Sequence, residues 1–125
     1  MFRSNRFAAL IRPVVAVELD AASKTEKLGM AAEAFRHLER AHVLGQASTV
    51  EHVRVHWRML RWGLRQRRPR EVLGQVLRVV GAATKTGLGW VPAGNTGGAN
   101  VNPFRPMPIA PDLRALLDAA GCCRC

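Results

Sequence analysis

Between Ser48 and Arg70 an arginine returns every three or four residues, at Arg54, Arg58, Arg61, Arg65 and Arg68, with mostly apolar residues between them. A helix, at ~100° per residue, gathers that spacing into a single narrow stripe. The segment therefore predicts a helix from Ser48 to about Gln66. Ser48-Thr49-Val50-Glu51 matches a capping box, in which a hydroxyl covers an orphan N–H and a carboxylate three residues on reaches back. On the wheel Val53, Trp57, Leu60 and Leu64 form one apolar strip, and Val55, Met59 and Trp62 form another. His52, His56 and Gly63 lie between the two. Roughly two-thirds of the circumference is expected to be buried, opposite an edge of nearly pure arginine.

Such a rod needs helices to bury against, and the flanking sequence supplies them. From Pro13 to about Lys27, the positions Val14, Val17, Ala21 and Leu28 share one helical face, and Pro13 suits a first helical turn. Residues 1–12 are set apart as a basic N-terminal segment. Ala31 to Leu44 carries Ala31, Ala34, Phe35, Leu38, Ala41 and His42 on one face, with Glu33, Arg36, His37 and Arg40 on the other. Gly45 is a natural stop. Arg68-Pro69-Arg70 turns the chain into a helix reaching about Val80, apolar almost all round except for a strip of Glu71, Gln75 and Arg78 with Gly74 beside it. A helix this apolar must be covered by its own domain or by a partner.

Residues 82–111 hold most of the Gly and Pro and keep no period. Trp90, Val91, Phe104, Met107 and Ile109 give that stretch apolar anchors, which predicts a long loop lying across the helices. A last helix is expected from about Asp112 to Ala120, with Leu113, Leu116 and Leu117 inward and Gly121 as its stop. The expected fold is all-α: two antiparallel helix pairs, a long Gly/Pro-rich loop and a short C-terminal helix. It forms one domain over 13–120, with a Cys-rich tail at 121–125.

Two groups of residues carry a resemblance. The run from Phe35 through His37-Leu38-Glu39-Arg40-Ala41-His42-Val43-Leu44-Gly45-Gln46, and Gly94-Asn95-Thr96-Gly97-Gly98-Ala99, together with Arg105-Pro106-Met107-Pro108-Ile109 and Asp112-Leu113, resemble a bacterial family of small proteins, domain of unknown function 3703. The resemblance spans roughly Val17 to Leu117 and implies a bacterial source, but no activity that can be carried over. It does not reach the Cys tail. More loosely, Ala34, Leu38 and Ala41, then Gly63 and the Arg68-Pro69-Arg70 turn, are similar to tetratricopeptide helix hairpins. The usual aromatic and proline positions of those repeats are missing, and two units fall short of the ~3 a stack needs.

The chain has 19 Lys and Arg against 9 Asp and Glu, a formal charge of +10 over 125 residues. That field favours an acidic protein surface or an anionic membrane surface. It does not favour sequence-specific nucleic acid, because the helix after the turn has few polar side chains to read base edges. No apolar run approaches the ~20 residues of a transmembrane helix. Arg6 and Arg12 bracket only Phe7–Ile11, so no signal-peptide core exists and a cytoplasmic location is expected, with an organelle-targeting presequence as the alternative.

Among chemistry-bearing sets, the histidines lead. His52 and His56, four apart, share a face, and the short connection brings His42 back against them. Three such imidazoles are the ligand set of an open Zn²⁺ site, with Glu39 and Glu51 as candidate carboxylate partners; the bland alternative is three core histidines bonded to one another or to a glutamate. Gly94, Asn95, Thr96, Gly97 and Gly98 offer N–H groups to an anion, but lack the Lys-Ser/Thr ending of a P-loop and read better as a turn. Cys122, Cys123 and Cys125 suit a soft ion, or nothing more than a tail. No catalytic set is identifiable and no cofactor is expected beyond a transition metal ion. The sequence thus points first to a non-enzymatic protein-interaction module that binds through the groove between its helix pairs or along the arginine edge. Second comes a metal-binding or metal-handling protein built on His42, His52 and His56.

Overall fold

The computed structural model describes residues 2–87 and 92–122. It is all-helical: α1 (Phe2–Lys27), α2 (Ala31–Gly45), α3 (Thr49–Arg65), α4 (Pro69–Gly87) and α5 (Pro111–Ala119). α1 packs on α2 and α3 on α4, the two hairpins meet mainly through α2 and α3, and α5 closes against α2. An irregular segment, 92–110, leads from the second hairpin to α5.

α1 starts at Phe2 rather than at Pro13, which lies inside it. Both Pro13 and Ala9, whose carbonyl the missing N–H would have bonded, face solvent, where water can take that carbonyl. The added turns bring Phe7 and Ile11 into the core, and the buried line continues through Val15, Leu19 and Ala22. The face expected from Val14, Val17, Ala21 and Leu28 is therefore out of phase. Val17 and Leu28 are exposed and Val14 only flanks the core. α4 likewise runs past its expected end near Val80, to Gly87, and Ala82 is buried. In α5, Leu113 and Leu117 point inward while Leu116 does not.

α3 keeps its expected span, but its wheel divides differently. Val55, Met59, Leu60, Trp62 and Gly63 are buried with both histidines. Trp62 donates from Nε1 to the Ala31 carbonyl (3.0 Å) and stacks at a tilt on Phe35. Trp57 and Leu64, from the other strip, are more than half exposed, as are Leu73, Leu77 and Val80 on α4. Less of α3 is thus buried than its composition suggests, because only the Val55, Met59 and Trp62 strip joins the core built on the first hairpin. Ser48 does stand at the N-cap in extended conformation, but its side chain makes no capping bond. Glu51 is turned instead to Arg54, at 3.1 Å.

The arginine stripe is partly consumed within the fold. Arg58 donates to the Leu19 carbonyl (3.0 Å) and Ser23 Oγ (2.6 Å) on α1. Arg65 grips both carboxylate oxygens of Glu26, at 2.7 and 2.8 Å, and this bond holds the Glu26 carboxyl below its ordinary value of 4.5. A carboxylate depressed in the folded state contributes stability that is present above its ordinary value and lost as pH falls through the lowered one. Arg65→Gln is expected to cost on the order of 0.5 kcal/mol near neutrality, as for exposed pairs. The gap between variant and parent in urea midpoint should close as pH falls below ~4.

Among the described residues no helix is long and apolar enough to cross a membrane. Cys122 packs against the core and is disulfide-bonded. Cys123, Cys125, Trp90 and Val91 lie outside the described residues.

Candidate metal centre

The turn between α2 and α3 is short, so the C-terminal part of α2 lies beside the first turns of α3. There His42, His52 and His56, each no more than 3% exposed, aim their Nε2 atoms at a common point. His42 Nε2 lies 3.0 Å from His52 Nε2 and 3.1 Å from His56 Nε2, and the third edge is also 3.1 Å. The three are a group of metal-ligand type; Glu39 and Glu51, the carboxylates considered with them, are not in it. Glu51 is held by Arg54, and burial pushes the Glu39 carboxyl up against the opposing pull of Arg36.

The protons of this cluster can be placed from its surroundings. His42 Nδ1 sits 2.6 Å from the Asn95 carbonyl oxygen, which only accepts, so Nδ1–H donates and Nε2 carries a lone pair. His56 Nδ1 sits 2.6 Å from Gln75 Oε1. The Gln75 amide nitrogen is committed to Glu71 Oε1 (2.6 Å) and the Gly97 carbonyl (2.9 Å), both acceptors. The amide cannot be flipped, so His56 also donates from Nδ1 and keeps a bare Nε2. With both rings neutral, two lone pairs face each other at 3.1 Å in a buried site. A proton on His52 Nε2 can bridge toward either, but it leaves the His42–His56 edge repulsive. A cation between the three satisfies all of them.

The three Nε2 atoms could hold one metal ion, with His42, His52 and His56 as its ligands. The imidazoles and Asn95 border a cavity of about 520 Å³, otherwise walled by Leu77, Arg78, Ala82, Pro103 and Phe104 among others.

The glycine motif completes this centre. A turn at 93–94 leads into an irregular stretch, and Gly97 there lies against His42. Asn95, 1% exposed, accepts from Gly97 N at 2.9 Å and donates to the carbonyls of Asn102 (2.8 Å) and Arg105 (2.7 Å). Gly94 and Gly97 both have φ of +79°. A Cβ on Gly94 would overlap the Met107 carbonyl, and one on Gly97 would come within 2.5 Å of His42 Cδ2. From the other side α4 stitches the loop down. Glu71 accepts from Ala99 N (3.2 Å), Gln75 donates to the Gly97 carbonyl, and Arg78 Nη2 donates to the Val101 carbonyl (2.6 Å). These are the members of the polar strip that interrupts an otherwise apolar helix. The strip was the one sequence signal for Gln75 and Glu71; nothing marked Asn95 as a partner of His42.

Fold and site together define a small all-helical protein with a buried three-histidine centre at the base of a cavity. The chain belongs to the family described as Protein of unknown function (DUF3703), whose model matches residues 9–117. No curated protein and no solved structure matches it.

Proposed function

We propose that this is a metal-binding protein in which His42, His52 and His56 hold one transition-metal ion through Nε2, with a coordination position open to the cavity. The carrying observation is the convergence of three buried Nε2 atoms within 3.0–3.1 Å of one another, with Nδ1 of His42 and of His56 anchored on the Asn95 carbonyl and on Gln75 Oε1. Metal-ligating histidines characteristically have the other ring nitrogen anchored in this way. Neutral nitrogen donors suit the borderline ions, Zn²⁺ and its neighbours, more than Mg²⁺ or Ca²⁺. An open position makes the ion accessible to a ligand, whether the protein carries the metal or uses it as a Lewis acid. Protein purified without a histidine tag and exposed to Zn²⁺ should retain one ion per chain by elemental analysis, and the His42→Ala/His52→Ala/His56→Ala triple variant none. Equal metal content in the two would sink this reading.

The interaction module is the second reading. Its support is the exposed apolar strip on α3 and α4, where Leu64 and Leu73 share a shallow hollow with Arg67 and Arg68. Arg61 and Arg68 are exposed and have no ion pair among the described residues. The partner such a surface fits is an amphipathic, acidic protein segment. Leu64→Ser/Leu73→Ser should abolish that association while leaving metal content intact.

A further inference from the structure

Resting on the metal reading, one question remains about the same site: what occupies the open face. Three histidines are neutral donors, so a bound divalent ion keeps its full charge inside the protein. The Glu71 carboxylate is joined to the cluster through the Gln75 amide. Arg78 borders the same cavity and adds a further positive charge. Its Nη2 is spent on the Val101 carbonyl, while its Nε–H is buried without a hydrogen-bond partner among the described residues. Buried cations in excess of anions are costly unless a negative ligand joins them. Thr84 and Asn95 apart, the rest of the described wall is apolar, with Leu77, Ala82, Pro103 and Phe104. Such a wall discriminates against a strongly hydrated inorganic oxyanion and favours a ligand with a hydrocarbon body. The cavity, about 520 Å³, is of the size that small organic molecules fill.

We infer that the cavity binds a small organic carboxylate, its carboxylate directed to the metal's open face and to Arg78, and its apolar body lying along Leu77 and Phe104.

The test uses the full chain loaded with Co²⁺, whose visible spectrum reports on coordination, titrated with hexanoate, acetate, hexanol and inorganic phosphate. Hexanoate should perturb the spectrum and bind at least ~10-fold tighter than acetate, since each buried methylene adds to affinity. Hexanol and phosphate should bind far more weakly. Arg78→Gln should weaken hexanoate on the order of 10-fold with cobalt content unchanged, and Arg78→Lys should restore part of the loss. Phosphate binding as tightly as hexanoate, or acetate equalling it, overturns the proposal. So does an Arg78→Gln variant that retains cobalt and full hexanoate affinity. If Arg78→Gln does not fold, the comparison of hexanoate with hexanol and acetate in the parent decides. If cobalt does not bind at all, the metal reading fails separately. Calorimetry of hexanoate on the metal-free chain then decides this one: binding weakened by Arg78→Lys supports it, and no binding overturns it.

Discussion

Gly97→Ala is expected to weaken the proposed metal binding and to cost much of the protein's stability, an effect large for the addition of one methyl group. Two penalties combine. The left-handed backbone at Gly97, φ +79°, costs a non-glycine residue roughly 1–2 kcal/mol. The new methyl would also stand 2.5 Å from His42 Cδ2, so the ring must turn away from Asn95 and from the cluster. Gly29 and Gly121 share the positive φ, at 78° and 72°, but have nothing within 4 Å of a built Cβ. Alanine at either position therefore measures the backbone penalty alone. The expected result is a loss of about 3 kcal/mol or more at Gly97 against ~1 at the two controls. Only Gly97→Ala should also lower Zn²⁺ affinity, by ~10–100-fold. Chemical denaturation and metal competition measure the two quantities. Similar behaviour of all three variants would mean that the glycine loop does not position His42.

Gln75→Leu should be the second severe substitution, although Gln75 carries no charge and forms no part of the ligand set. Its side chain is fully buried and joins three groups: it accepts from His56 Nδ1–H and donates to Glu71 and to the Gly97 carbonyl. Leucine fills similar volume but makes none of these bonds. Each buried group left unpaired costs about 1–3 kcal/mol, so a total of roughly 3–5 kcal/mol is expected. In a chain of this size that lowers Tm by on the order of 10–20 °C. His56 also loses the anchor that fixes its tautomer, and metal affinity should fall by ~10–100-fold. Gln75→Glu separates the roles. A carboxylate still accepts from His56 but cannot donate to Glu71 or Gly97, so more metal affinity than stability should survive. If Gln75→Leu binds metal like the parent, the His56 tautomer is not set by Gln75.

The histidine centre was unusually legible. His52 and His56 are separated by one helical turn, and the connection from His42 is too short for anything except an antiparallel return, so local geometry alone brings three imidazoles near one another. Their second sphere was not. Asn95 reaches His42 from 53 residues away in sequence through a backbone carbonyl, and a carbonyl leaves no trace in residue identity. Glu71, Gln75 and Arg78 did leave one, as a polar strip on an apolar helix, but the strip does not say what it faces. Phase errors have the same origin. Pro13 argued for a helix start, yet it faces solvent, where the lost hydrogen bond costs little, and the helix runs back to Phe2. Trp57 and Leu64 lay on as good an apolar strip as Val55 and Met59, but only one strip meets the first hairpin.

The residue order alone set the helical periods, the turns between helices and the meeting of His42 with His52 and His56, because each follows from contacts within a turn or across one short connection. Which apolar strip is buried, how many of the arginines find acids on α1, and how the glycine loop seats itself over His42 were decided by tertiary structure. Those outcomes depend on surfaces distant in sequence competing for the same neighbour, and a helical period describes a face without saying what will cover it.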